Sequence, residues 1–341
     1  MTRSHIPEAV LSAAHDRARA RAARDWDVAD RLRAEIEAAG WTVVDRGTDF
    51  ALSPAAPPDV AEGARVRYGA SRNVPARFDE PAVGVATVVL IATDWPDDLE
   101  RALGGLGRHS PAGTSVVVVV DAPCDEQAER LDALETRDAA DAGNARDVND
   151  ALPIETVWTS ERLGQGAAVN IGIRRASAPV IVLLDTSVEP TGDIVTPLVG
   201  ALADASVAVA GPWGITSTDL RTFEDAPPGD VDAIEGYMQA FRRSDAAALG
   251  PIDERFRFYR NLDIWWSLVL RDGAEDDEQP RRAVRVDGLP VERHEHRGWT
   301  SLTDAERDRH SKRNFYRIID RFGSRRDLLV ANRSVRGGTG R

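Results

Sequence analysis

The chain has 341 residues, 42% of them hydrophobic, which is room for one large domain with an appendage or for two ordinary domains. Its net charge of −13 argues against a broad nucleic-acid-binding face, and its single cysteine, Cys124, excludes an internal disulfide framework or a cysteine-cluster metal site. No stretch approaches the ~20 continuous apolar residues of a membrane span and Met1-Thr-Arg-Ser-His5 has no apolar signal core, so a cytoplasmic protein is expected, with peripheral attachment to the inner membrane face left open. Residues 8–39 carry Leu11, Ala18, Ala22, Trp26, Ala29, Leu32 and Ile36 at three- and four-residue steps, a helical pattern that Gly40 stops. A strand over 41–44 can pair with 50–52, giving a small helical domain with short strands over 1–52. Ser53-Pro-Ala-Ala-Pro-Pro-Asp59 then breaks all regular structure, and 53–82 reads as a linker.

From residue 83 the pattern alternates. Strands are expected over 85–92, 116–120, 154–158 and 180–184, with helices over 97–108, 125–140 and 167–176. This spacing predicts an α/β domain over 83–322 with a mostly parallel, Rossmann-like sheet flanked by helices. Further strands are expected over 207–210, 234–241 and 283–286, and helices over 262–271 and 305–322. The basic, glycine-rich stretch 323–341 reads as a flexible tail.

Ligands of open α/β sheets bind beyond the carboxyl ends of the strands, and four groups of residues fall where that chemistry would be. Asp121 ends a valine strand; it can accept from a base or ribose, or serve as a turn residue. Asp185 ends the apolar run 180–184 and is followed by Ser187 and Glu189, a spacing that can hold a divalent cation or a capped turn before Pro190. Asp253, Glu254 and Asp263 surround an aromatic-rich helix start and are candidate general bases, or caps and ion pairs of a core helix. His294-Glu-His296 alternates, so only one histidine can face a given site, and His296 is a candidate ligand.

Taken in order, these groups resemble family-2 glycosyltransferases of the GT-A fold. The resemblance rests on Gly166-Ala-Ala-Val-Asn-Ile-Gly-Ile-Arg-Arg-Ala, the run Val180 to Asp185, and Gly236-Tyr-Met-Gln-Ala-Phe-Arg-Arg followed by Gly250-Pro-Ile-Asp-Glu-Arg-Phe. It implies transfer of a sugar from a UDP-, GDP- or dTDP-linked donor to an acceptor hydroxyl on a glycan or lipid-linked molecule of the cell envelope, metal-assisted and inverting. The implied donor-binding residues are Asp121, Asn170, Asp185 and Arg313, the last beside Asn314. Asp253 and Glu254 would lie near the acceptor with Asp263. Mg²⁺ or Mn²⁺ would sit on Asp185, with Glu189 and His296 compensating for Ser187, which replaces the second acid of the family's Asp-x-Asp. The base motif reads Arg260-Asn-Leu-Asp263, and an amide at Asn261 cannot take a proton from a hydroxyl. A catalytically degenerate domain that binds nucleotide or a partner is therefore the alternative. Residues 10–52 are separately similar to the C-terminal segment of cysteinyl-tRNA synthetases, which implies a small helical fold without aminoacylation.

Overall fold

The computed structural model describes residues 6–46, 49–92, 94–142, 152–273 and 280–332. Two compact units result, Met1–Pro58 and Asp59–Arg341. The first comprises α1 (Glu8–Ala22), α2 (Trp26–Ala38) and an antiparallel hairpin of β1 (Trp41–Arg46) and β2 (Asp49–Pro54). The helical stretch expected over 8–39 is thus two helices. Arg24 takes a positive φ of 60°, and the Asp25 side chain accepts from the Val28 amide to cap α2. The apolar periodicity runs through the break because both helices serve one small core of Val10, Ala14, Ile36, Trp41 and Val43.

In the second unit, part of the expected linker is structured. β3 (Val60–Glu62) and β4 (Arg65–Tyr68) join the edge of the main sheet, turning at Gly63, whose φ is +62°. Their polar residues suit exposed edge strands as well as they suit a loop. There follow β5 (Ala86–Ala92), α3 (Pro96–His109), β6 (Thr114–Val120), α4 (Asp125–Ala142), β7 (Ile154–Thr159), α5 (Gln165–Arg175) and β8 (Val180–Leu184). Past β8 the pieces shorten: β9 (Val188–Pro190), α6 (Val195–Leu202), β10 (Val207–Gly211), β11 (Gly214–Thr216), β12 (Glu224–Asp225), β13 (Gly229–Val231), β14 (Ala233–Ile234) and β15 (Met238–Arg242). The chain continues through α7 (Arg243–Leu249), α8 (Leu262–Asp272), β16 (Arg282–Arg285), β17 (Val291–Arg293), α9 (Arg297–Thr300) and α10 (Asp304–Phe322). The expected strand over 234–241 is two strands, parted at residues 235–237.

Ten strands form the main sheet in the order β13-β16-β10-β15-β8-β5-β6-β7-β4-β3. β3, β13 and β15 run against their neighbours and the other contacts are parallel. Period-two alternation feeds two cores. Val117 and Val119 of β6 pack with α5 and α8 on one face, while Val116, Val118 and Val120 pack with α3 on the other. A Cβ on Gly172 would collide with the Val89 side chain, so the glycine lets α5 lie close on β5. The expected flexible tail is in part packed: Leu328 and Leu329 are fully buried, and the Val330 amide donates to the Asp232 carboxylate. Residues 333–341 of that tail lie outside the described residues.

Candidate active site

The parallel strands β5, β6, β8, β10 and β16 end on one side of the sheet, and a cleft of about 950 Å³ opens there. At one end is Asp121, nearly fully buried at the end of β6. Its carboxylate accepts from the amides of Leu163 (2.7 Å) and Gly164 (3.0 Å) and from the Thr159 hydroxyl (3.2 Å). Burial outweighs these bonds and holds the carboxyl above its ordinary value. Asp121 thus borders the cleft while fixing the turn that enters α5, where Gly164 sits at φ +88°.

Asp185, where β8 ends, stands in the middle of the cleft. Its Oδ1 accepts from the Ser187 amide (2.9 Å) and hydroxyl (2.5 Å), and its Oδ2 lies 3.3 Å from His296 Nε2. Burial raises the Asp185 carboxyl, but the His296 and Ser187 contacts together outweigh it and the net direction is downward. His296 responds in the opposite sense: burial lowers it, and Asp185 carries it above its ordinary value. The imidazole stacks on Tyr259 at 4.4 Å between ring centroids and meets Tyr237 edge-on at 6.0 Å. Glu189, expected to complete this set, is not part of it. β9 pairs with β17, and the alternation sends Glu189 to His294 (3.1 Å), with Glu292 beside them and Arg108 at 3.3 Å. The two histidines of His294-Glu-His296 therefore serve different carboxylates.

Further acids line the same cleft, Asp263 and Glu235 among them. Asp263, in the first turn of α8, accepts from the Gly236 amide at 2.8 Å, and burial holds its carboxyl above the ordinary range. Glu235, between β14 and β15, is raised by burial and then by the nearby charges of Asp263 and Asp225. Asn261 precedes α8 in the left-handed conformation, φ 66°, and its amide donates to the Ser311 carbonyl at 3.1 Å.

Besides Glu189, the structure places four expected site residues away from the cleft. Asn170 is buried in α5 and bonds both the amide (2.8 Å) and the carbonyl (2.9 Å) of Ile252 and the Glu254 carboxylate (3.1 Å). Glu254 also accepts from the Ser71 hydroxyl, and Asp253 is clasped by Arg255 at 2.7 Å. These residues brace the back of α5 because the motif turn folds against that helix, where Gly166 leaves room for Asp253 and Glu254. Arg313 lies on α10 with its guanidinium on His310, whereas its neighbour Asn314 donates to the carbonyls of Phe258 and Arg260, both at 2.8 Å. Conversely, the cleft is lined by Glu235, Trp213, Tyr237, Tyr259, Arg285, Arg293 and Trp299, which pattern reading did not single out. The exposed Gly236 inside an apolar run was the available sign of the break that turns Glu235 and Tyr237 to the cleft.

Residues 88–253 match the family described as Glycosyl transferase family 2. Among solved structures, the mannosyltransferase PcManGT from Pyrobaculum calidifontis in complex with GDP-Man and Mn²⁺ is 17% identical with a TM-score of 0.50, over 73% of this chain and 67% of that one. GalNAc-T7 with UDP, GalNAc and Mn²⁺ is 16% identical with a TM-score of 0.51, over 70% of this chain and 48% of that one. No curated protein matches the sequence. At these identities the shared property is the fold, which is that of GT-A glycosyltransferases.

Proposed function

We propose that this chain, whose residues 88–253 carry a glycosyltransferase family 2 domain within a GT-A fold, transfers a sugar from a nucleotide-diphosphate sugar to an acceptor hydroxyl with inversion at the anomeric carbon. The observation that carries the reading is the convergence of Asp185, His296 and Asp263 on one cleft. Ligand atoms about 2.0–2.1 Å from an octahedral ion stand roughly 3 Å apart along an edge, and Asp185 Oδ2 and His296 Nε2 are 3.3 Å apart on the cleft wall. The pair therefore fits two positions of a divalent cation that keeps the rest for phosphate oxygens and water. An imidazole among the ligands is softer than the all-oxygen shells typical of Mg²⁺, which favours Mn²⁺. When bound, the cation supplies Lewis-acid neutralisation of the departing diphosphate.

The chain's own residues supply the rest. Asp121 and the Leu163–Gly164 turn form the wall expected to meet the base and ribose. Asp263, desolvated and fixed by the Gly236 amide, takes the proton as the acceptor oxygen bonds to the anomeric carbon. The bond from that carbon to the diphosphate oxygen breaks, and the nucleoside diphosphate leaves. The acceptor is expected to be a glycan or a lipid-linked molecule of the cell envelope, and no described helix is long and apolar enough to cross a membrane. Calorimetric titration with UDP-, GDP- and dTDP-sugars, with and without Mn²⁺ or Mg²⁺, tests the reading: metal-dependent heat is expected for one donor, and silence with all of them would sink it. Donor binding with neither transfer nor donor hydrolysis would favour a degenerate, nucleotide-binding domain.

A further inference from the structure

We propose that the acceptor bears an anionic group, a phosphate or a carboxylate, which docks on Arg285 and Arg221 at the end of the cleft opposite Asp121; this rests on the glycosyltransfer reading above. The strand order works as a ruler. Neighbouring strands lie about 4.8 Å apart. β6 stands two places from β8 on one side, and β16 stands three places from β8 on the other. Arg285, the last residue of β16, thus starts about 14 Å of sheet from the strand that ends at Asp185. It lies on the side of Asp185 away from the expected nucleotide wall.

Of the two guanidinium groups there, that of Arg285 is fixed by main chain, and that of Arg221 is exposed beside it. Arg285 donates through Nη1 to the Ala226 carbonyl, and its Nε is buried with no hydrogen-bond partner. Its stem packs where Gly214 has no side chain, since a Cβ on that glycine would lie 3.1 Å from Arg285 Cβ. Arg221 sits on a turn organised by Asp219, whose carboxylate accepts from the amides of Arg221 (2.8 Å) and Thr222 (3.0 Å). Among the described residues neither arginine forms an ion pair, although the chain's net charge is −13 and carboxylates abound. Asp225 and Glu235 line the same stretch; Glu235 lies 3.8 Å from Arg293, and no ion pair joins Asp225 to either arginine. The Arg285 guanidinium, held by main chain and paired with no carboxylate, presents preformed donors for a phosphate or carboxylate, and the exposed Arg221 adds a second cation to the same stretch.

The test titrates the full-length protein, saturated with Mn²⁺ and the nucleotide that binds, with glucose 6-phosphate, methyl glucuronide and methyl glucoside. At least one anionic probe is expected to bind about tenfold or more tightly than methyl glucoside, and the better of the two identifies phosphate or carboxylate as the group recognised. Arg285→Met and Arg221→Met should each erode that preference, Arg285→Lys should retain most of it, and nucleotide affinity should not change. Equal binding of the neutral probe, absence of binding by all three sugars, or a preference that survives both methionine variants overturns the proposal. So does a loss of nucleotide affinity in Arg285→Met, which would move the arginine to the donor site. The sugar titrations are repeated without nucleotide, so a protein that binds no nucleotide overturns the glycosyltransfer reading separately, while the charge preference stands or falls on the arginines.

Discussion

Asp263 and Glu235 show what the cleft asks of single side chains: both carboxyls are held above their ordinary values, mainly by burial. A folded state that raises a carboxyl binds protons more tightly than the unfolded chain, so this contribution to stability falls as pH rises from the ordinary carboxylate value through the raised one. Asp263→Asn should therefore melt at a higher temperature than the parent at pH 7, with the gain disappearing below about pH 4, while its amide oxygen still accepts from Gly236. Transfer should drop by about 10²–10⁴-fold. Paired melts at the two pH values and an initial-rate assay check both halves. His296→Ala should leave Asp185 to Ser187 alone and weaken metal-dependent donor binding by at least about tenfold, read as the calorimetric difference with and without Mn²⁺. The sequence made Asp185, His296 and Asp263 legible because each ends or begins an element on the carboxyl side of the sheet. Asn170, Asp253, Glu254 and Arg313 carry the same motif signal yet face inward or away. Spacing reports which residues share an element, not which carboxylate meets a buried amide three elements away.

At the scale of elements, the regular half of the chain was readable and the irregular half was not. The strands β5, β6 and β8 are almost wholly apolar because both faces are covered, and the intervening helices are amphipathic or small-residue rich, so periodicity marks them. Past β8 the strands have two to five residues, too few for a period to register, and β9 and β11 to β13 went unrecognised. These short pieces carry much of the cleft wall. The close approach of α5 to β5 is likewise invisible in a pattern, since it depends on one missing methyl. Gly172→Ala should force Val89 aside and cost about 1–3 kcal/mol, measurable as a lower urea midpoint with an unchanged slope. Gly164→Ala adds a Cβ at φ +88° and places it 3.0 Å from the Arg257 carbonyl, so a loss of about 1–3 kcal/mol is expected there too, accompanied by weaker nucleotide binding.

For the whole molecule, the two units each own a core, and the candidate site belongs entirely to the second. A chain beginning at Asp59 should consequently fold and bind nucleotide with the affinity of the full-length protein; a shift of more than about tenfold in calorimetry, corresponding to 1.4 kcal/mol, would mean that the first unit takes part in the site. Two asparagines, Asn261 before α8 and Asn314 in the closing helix, have a consequence for motion. Asn261 donates from the start of α8 to Ser311 on α10, and Asn314 donates from α10 back to Phe258 and Arg260. The aromatic loop beneath His296 and the last long helix are therefore stitched in both directions, and their amides should exchange with solvent as one cooperative block. Movement that admits a substrate is then expected outside this block.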